Sequence, residues 1–433
     1  MLAAVVMKAR RWKRRILFAI IDQGLSSGTN FLLTILYAAW LPLESFGQYV
    51  ILWTVALFIE VVQISLIIDP LPTLASRFGP TNRERIDAAA AWVTLAYGGA
   101  TSLVLLAAIP LWSVSAPEMA VPLVCLAAIN PVQRLYIFIR RLAYIRDRQD
   151  AAAVGSLTFF VTMLAGAFTL HQLRLLDLVS ILLLWGIGAA AAMLVTCTVG
   201  VPWLRAARAA TVVWLARNVW HPGRWLVGAA VCFWISQWGI FPLAAAMGGP
   251  DGAGVMRVLQ NLFTPVTQFN AALYLALLPR VADNVAAKGH PYARSFALYG
   301  TIAFTGIVIV YSALVLIGAG PIIAVLYRKP EILGSIHLLW PLAIAFVLEA
   351  ARQAPAMAML AENRTRTAFV ARVGAVLAFF AAAAALGPLM GVEGLLWANA
   401  VANGVGTSWQ MIAALAVKKQ EATRRAVLQP TPS

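Results

Sequence analysis

Twelve apolar stretches of about twenty residues fill most of this chain, and its positive charge is gathered on every second connection between them. The stretches run over about 16–39, 46–69, 87–110, 118–139, 151–171, 178–200, 223–247, 253–279, 295–317, 334–357, 367–388 and 393–417. As a helix, each is long enough to cross a hydrocarbon core of about 30 Å. Of 33 Lys and Arg, only Arg174, Arg328 and Lys329 fall in the odd-numbered connections, and Arg134, Arg257 and Arg352 fall within stretches. The other 27 lie in the tails, in the even-numbered connections or, for Arg224 and Arg372, just inside the stretches that border them. Cytoplasmic loops carry the excess of Lys and Arg, so the pattern predicts an all-α, multi-pass membrane protein with both termini cytoplasmic.

Composition narrows the function classes. With 61% apolar and 12% charged residues, no part has the surface chemistry of a sizeable soluble domain. The net charge of +16 sits beside apolar stretches, where anionic lipid headgroups are the expected partners and nucleic acid is not. The basic run Lys8 to Arg15 precedes a stretch that is too long for a signal peptide and contains Asp22 and Gln23; it reads as an uncleaved first span. Cys125, Cys197 and Cys232 all fall within stretches, and the four His are scattered singly, so neither a disulfide framework nor a metal site is expected. No P-loop, nucleophile elbow or zinc motif occurs, and no cofactor or enzymatic activity is expected.

The connections are too short to hold a catalytic domain. The longest interior one with clear amphipathic character, residues 201–222, carries Arg205, Arg208 and Arg217 among Trp203, Val213, Trp214 and Trp220 and reads as an interfacial helix. It divides the chain into a six-helix bundle at 1–200 and another at 223–417, with a cytoplasmic tail at 418–433. A shift of 207 residues aligns Glu44 with Asp251 and Gly47 with Gly254, a weak sign of internal duplication. Parallel halves related by an axis along the membrane normal would place a central cavity between them.

Polar residues within the stretches single out the candidate site, because a charge at mid-bilayer costs about 2.5–3.5 kcal/mol on insertion scales. Asp22, Ser26 and Asn30 line one stripe of span 1, with Ser27 and Thr34 slightly rotated; Glu60 and Gln63 share a face of span 2. Arg257, Gln260, Asn261, Thr264 and Gln268 have the spacing of one helical face over three turns. Asn399, Asn403, Thr407 and Gln410 repeat that arrangement without charge, and Glu349 and Arg352 are spaced for an intrahelical ion pair beside Gln353. Snorkelling toward headgroups is the plainer reading of Arg134 and, by itself, of Arg257. Trp12, Trp40, Trp112, Trp203 and Trp220 lie near span ends, as an aromatic belt would.

Several segments carry a resemblance: Asp22-Gln23-Gly24, Asn30-Phe31-Leu32, Leu41 to Tyr49, Gly254 to Arg257, Leu259-Gln260-Asn261, Leu278-Pro279-Arg280, Gly318 to Pro321 and Gly391-Val392-Glu393-Gly394. With them the chain resembles the polysaccharide-transport branch of the multidrug/oligosaccharidyl-lipid/polysaccharide exporter superfamily. It departs at Gly254-Val255-Met256, where that branch often has Gly-x-Tyr. The resemblance implies a flippase that moves undecaprenyl-pyrophosphate-linked oligosaccharide, an O-antigen or exopolysaccharide repeat unit, across the bacterial inner membrane by alternating access. Candidate partners are then the lipid-linked substrate, anionic lipids, and polysaccharide polymerase and chain-length machinery. In this reading Arg257 and Arg134 offer cations to pyrophosphate, and Asn30, Gln260, Asn261, Asn399 and Asn403 offer amides to sugars. Asp22, Glu60, Glu349 and Arg352 are the candidate coupling or gating groups. A drug/cation antiporter centred on Asp22 and Glu60 is the alternative; a membrane-embedded polymerase would need a larger external loop.

Overall fold

The computed structural model describes residues 2–75, 80–113, 116–200, 207–362 and 364–416, which are almost entirely helical and include no strand. In chain order the helices are α1 Leu2–Trp40, α2 Leu43–Gln63, α3 Leu71–Ala75, α4 Pro80–Ser113, α5 Ala120–Ile145, α6 Gln149–Gln172, α7 Leu178–Gly200 and α8 Ala209–Trp238. They continue with α9 Ile240–Asn261, α10 Thr264–Lys288, α11 His290–Leu326, α12 Pro330–Leu333, α13 Leu339–Ala361, α14 Thr365–Met390 and α15 Val392–Leu415. All twelve apolar stretches are helical over most of their described length, so the fold class expected from the sequence holds. Nine spans among the described residues are long and apolar enough to cross a membrane by length and composition; α1, α10 and α15, which carry polar stripes, are not among them. Trp203, Arg205 and the basic tail at 418–433 lie outside the described residues.

Hydropathy runs opposite to that of a soluble domain. Leu111, Ile317 and Leu389 are more than 80% exposed, while Asp22, Gln63, Asn130, Arg134, Asn261 and Arg352 are buried. Lipid solvates an apolar exterior, and backbone groups find their partners inside the helices. This is a multi-pass membrane protein.

The helices pack as two compact units, Met1–Asn261 with Leu326–Lys329, and Leu262–Val325 with Pro330–Ser433. The first unit is built on α5, which packs against α4 and α7, while α6 joins α1 and α7. In the second, α15 packs along α13 and α14.

Two local features differ from the sequence reading. Residues 209–222 do not form a separate interfacial helix, because α8 runs unbroken from Ala209 into the seventh span. Leu215 and Val219 are buried there in a cluster with Leu71, Ile86 and Leu142, so this face is covered by protein rather than headgroups. The polar face of span 8 is also interrupted: α9 ends at Asn261 and α10 starts at Thr264. Pro265 opens α10; lacking an N–H, it cannot bond the Asn261 carbonyl, and the helix restarts with proline in its first turn. Thr264 and Gln268 therefore lie on a different helix from Arg257.

The duplication suggested by Gly47 and Gly254 has a physical counterpart where α2 meets α9. Gly249 takes φ +69° and ψ −178°, a conformation open to glycine, and turns the chain before Pro250. A Cβ on Gly47 would collide with the Pro250 carbonyl. A Cβ on Gly254 would lie 3.1 Å from the Leu43 carbonyl oxygen. The shift of 207 residues relates Leu43 to Pro250 just as it relates Gly47 to Gly254, so the two contacts are pseudosymmetric mates. Small residues let helix backbones approach this closely in a membrane. Gly47→Ala should reduce the yield of folded protein by the equivalent of about 1–3 kcal/mol, with a smaller loss for Gly254→Ala. Detergent thermal unfolding of both variants tests the order, and equal midpoints would show that the backbone yields freely.

Candidate functional site

Arg257 lies in the α9 segment that follows the Gly249 turn, and it is buried, at 7% exposure. Its guanidinium carbon stands 4.2 Å from the Trp53 ring centroid, 5.6 Å from Trp238 and 6.0 Å from Phe241. Nη2 donates to Thr34 Oγ1 at 3.4 Å, and no carboxylate pairs with it among the described residues. Aromatic faces attract a guanidinium electrostatically, by about 2 kcal/mol or more when desolvated. They leave its edge donors free for an anion, which a carboxylate partner would not. Arg257 thus does not reach toward headgroups; it is held inside the first unit.

An adjoining narrow cleft shares Trp53 with this cation and is lined also by Asn30, Tyr49, Phe159, Met163 and Trp185. Asn30 is exposed toward it from α1, one turn before Thr34, so amide, aromatic and cationic groups converge. The sequence reading found Asn30 and Arg257 and missed the aromatics. Trp53 and Trp185 lie mid-span rather than at the interface, and that displacement from the belt was the available signal. Farther along α9, Asn261 donates to Tyr327 Oη at 3.1 Å, while Gln260 keeps Oε1 buried without a partner.

Asp22 is drawn away from the cleft into the packing of three helices. Arg140 donates to it through Nε at 3.0 Å and Nη2 at 2.8 Å, Tyr144 Oη at 2.6 Å and Ser156 Oγ at 2.5 Å. A charge buried among this many donors is compensated in place and ties α1 to α5 and α6. Glu60 is half-buried on α2, and Arg134 is wholly buried on α5.

The second unit holds the remaining candidates. Glu349 and Arg352 form the intrahelical pair that their spacing predicts, with Arg352 Nη2 3.6 Å from Glu349 Oε1. Asn403 donates to the Ala345 carbonyl at 3.3 Å and to Asn399 Oδ1 at 3.4 Å, and Thr407 donates to the Leu348 carbonyl at 2.7 Å. The polar stripe of α15 therefore bonds to α13, as polar side chains often do between membrane helices. Removing one member of the Glu349/Arg352 pair leaves a lone intramembrane charge, whereas removing both leaves none. Each single Ala variant should accordingly yield less folded protein than the double variant by fluorescence-detected size exclusion. Additive losses would contradict coupling of the two charges.

Neither a family model nor a curated protein matches the chain. Solved structures do. An inward-facing multidrug resistance MATE family transporter of the MOP superfamily superposes with TM-score 0.77 at 12% identity, over 96% of this chain and 100% of that one. The lipid II flippase MurJ in an inward closed conformation gives 0.67 at 13% identity, over 95% and 90%. A MOP superfamily transporter from Pyrococcus furiosus, described as having a binding pocket of reversed polarity, gives 0.65 at 13%, over 96% and 95%. The chain shares the fold of these transporters. At these identities the fold alone is shared, and function has to be argued from the side chains.

Proposed function

We propose that this protein is a flippase for a lipid-linked oligosaccharide with an anionic pyrophosphate headgroup, working by alternating access in the bacterial cytoplasmic membrane. The observation that carries the reading is Arg257, a buried cation stacked on Trp53 with no carboxylate beside it among the described residues, at the edge of a cleft lined by Asn30, Tyr49 and Trp185. Its fixed fork of donors suits phosphate oxygens. Tyr and Trp faces with an amide suit the apolar faces and hydroxyls of sugar rings.

The same feature speaks against an organic-cation cargo. An aromatic cage for such a cargo needs electron-rich faces free of competing positive charge, and Arg257 already occupies Trp53. The antiporter reading retains the multidrug transporters among the structural neighbours as its support. Depleting the protein and following lipid-linked oligosaccharides separates the two readings. Accumulation on the cytoplasmic leaflet supports the flippase; hypersensitivity to organic cations without accumulation supports the antiporter. The flippase reading also needs both termini inside, so reporter fusions near Arg174 and Lys329 should report an external location.

A further inference from the structure

A second cationic centre lies closed inside the first unit, among α2, α4 and α5. Arg134 is 0% exposed. Its Nη2 approaches Gln133 Oε1 at 3.5 Å, while Nε and Nη1 have no hydrogen-bond partner. Gln133 Nε2, Thr94 Oγ1, Gln63 Oε1 and Asn130 Oδ1 are buried without partners as well. Gln133 adjoins the guanidinium, and the others lie on neighbouring turns of α2, α4 and α5. Gln63 Nε2 donates to the Arg134 carbonyl at 2.8 Å, and Asn130 Nδ2 donates to the Gly98 carbonyl at 3.0 Å. A Cβ on Gly98 would lie 3.5 Å from Arg134 Cγ, and Thr94 precedes Gly98 by one turn. Glu60 acts electrostatically on Arg134 but forms no ion pair with it, and Tyr97 Oη is spent on the Ile59 carbonyl at 2.8 Å.

We propose that this centre binds a small monovalent inorganic anion of the halide class, held by Arg134 and Gln133. A buried guanidinium that no carboxylate contacts is among the costliest arrangements in a low-dielectric interior, and the more distant Glu60 offsets that cost only in part. The unmet groups are weighted toward donation: Arg134 Nε and Nη1, Gln133 Nε2 and Thr94 Oγ1 can all donate, and only the Gln63 and Asn130 oxygens are limited to accepting. Water accepts as well as donates but brings no charge; an anion satisfies the donors and the charge together. With Glu60 near, a monovalent ion adds the least further negative charge, and the burial of Arg134, Gln133 and Thr94 leaves no opening for a glycan. This centre is thus distinct from the Arg257 cleft, and its test does not depend on the cargo.

Purified protein in detergent should unfold at higher temperature as chloride or bromide replaces gluconate at constant ionic strength, and the rise should saturate as a binding isotherm does. Arg134→Gln should abolish the dependence. Glu60→Gln removes a competing negative charge and should move saturation to lower halide concentration, by several-fold. Should Arg134→Gln not fold, Gln133→Leu gives the second reading, with saturation moved several-fold higher. The proposal is overturned by a wild-type midpoint indifferent to halide, by an unchanged response in Arg134→Gln or Gln133→Leu, or by a weaker response in Glu60→Gln.

Discussion

Asp22→Ala is expected to lower the stability of the first unit by about 3–5 kcal/mol, the cost of breaking a buried, hydrogen-bonded ion pair from one side. The carboxylate is 0% exposed and bonded to Arg140, Tyr144 and Ser156. Its removal strands a guanidinium and two hydroxyls between α1, α5 and α6. Asp22→Asn keeps the shape and loses the charge, so it should fall between wild type and Ala. Adding Arg140→Met to Asp22→Ala should recover part of the loss, because the stranded cation goes too. Thermal unfolding in detergent checks the order. Wild-type stability in Asp22→Ala would mean that the four hydrogen bonds do not hold the helices together, returning Asp22 to the candidate coupling groups.

Much of this architecture is legible in the sequence because a bilayer imposes one rule on every span. Twenty apolar residues have to become a helix, whatever their neighbours do. The Glu349/Arg352 pair was legible for the same reason: a spacing of three on a helix fixes proximity. Other features depended on contacts distant in sequence. Arg257 near a span end invites the snorkelling reading, and only the approach of Trp53 from α2 shows that it is enclosed. Asp22 resembles a cavity residue until Arg140, from α5, meets it. The polar run from Arg257 to Gln268 has perfect helical spacing, yet Pro265 divides it, a local signal that periodicity outweighed. The Gly47 and Gly254 match reads as chance in turn sequences, and gains weight from the reciprocal contacts with Pro250 and Leu43.

The Arg257 series is expected to produce the largest functional effect. Arg257→Glu places a carboxylate where a phosphate should bind and against aromatic faces that repel it, so transport should be lost. Arg257→Ala removes the donors and the charge, and transport should fall close to background. Arg257→Lys keeps the charge but loses the planar fork and the stacking, and should retain part of the rate. Folding should withstand Ala, since the stacking lost, about 2 kcal/mol, is offset by no longer burying a guanidinium without a carboxylate partner, and Lys, which replaces one buried cation by another.

The most direct measurement follows a fluorescent or radiolabelled undecaprenyl-pyrophosphate oligosaccharide in proteoliposomes, comparing wild type, Arg257→Lys and Arg257→Ala at matched amounts of folded protein. The account predicts rapid leaflet exchange for wild type, a reduced rate for Lys and a rate near that of protein-free vesicles for Ala. Wild-type exchange by well-folded Arg257→Ala would contradict it, because a cleft that moves a pyrophosphate equally well without its cation does not use that cation to recognise it.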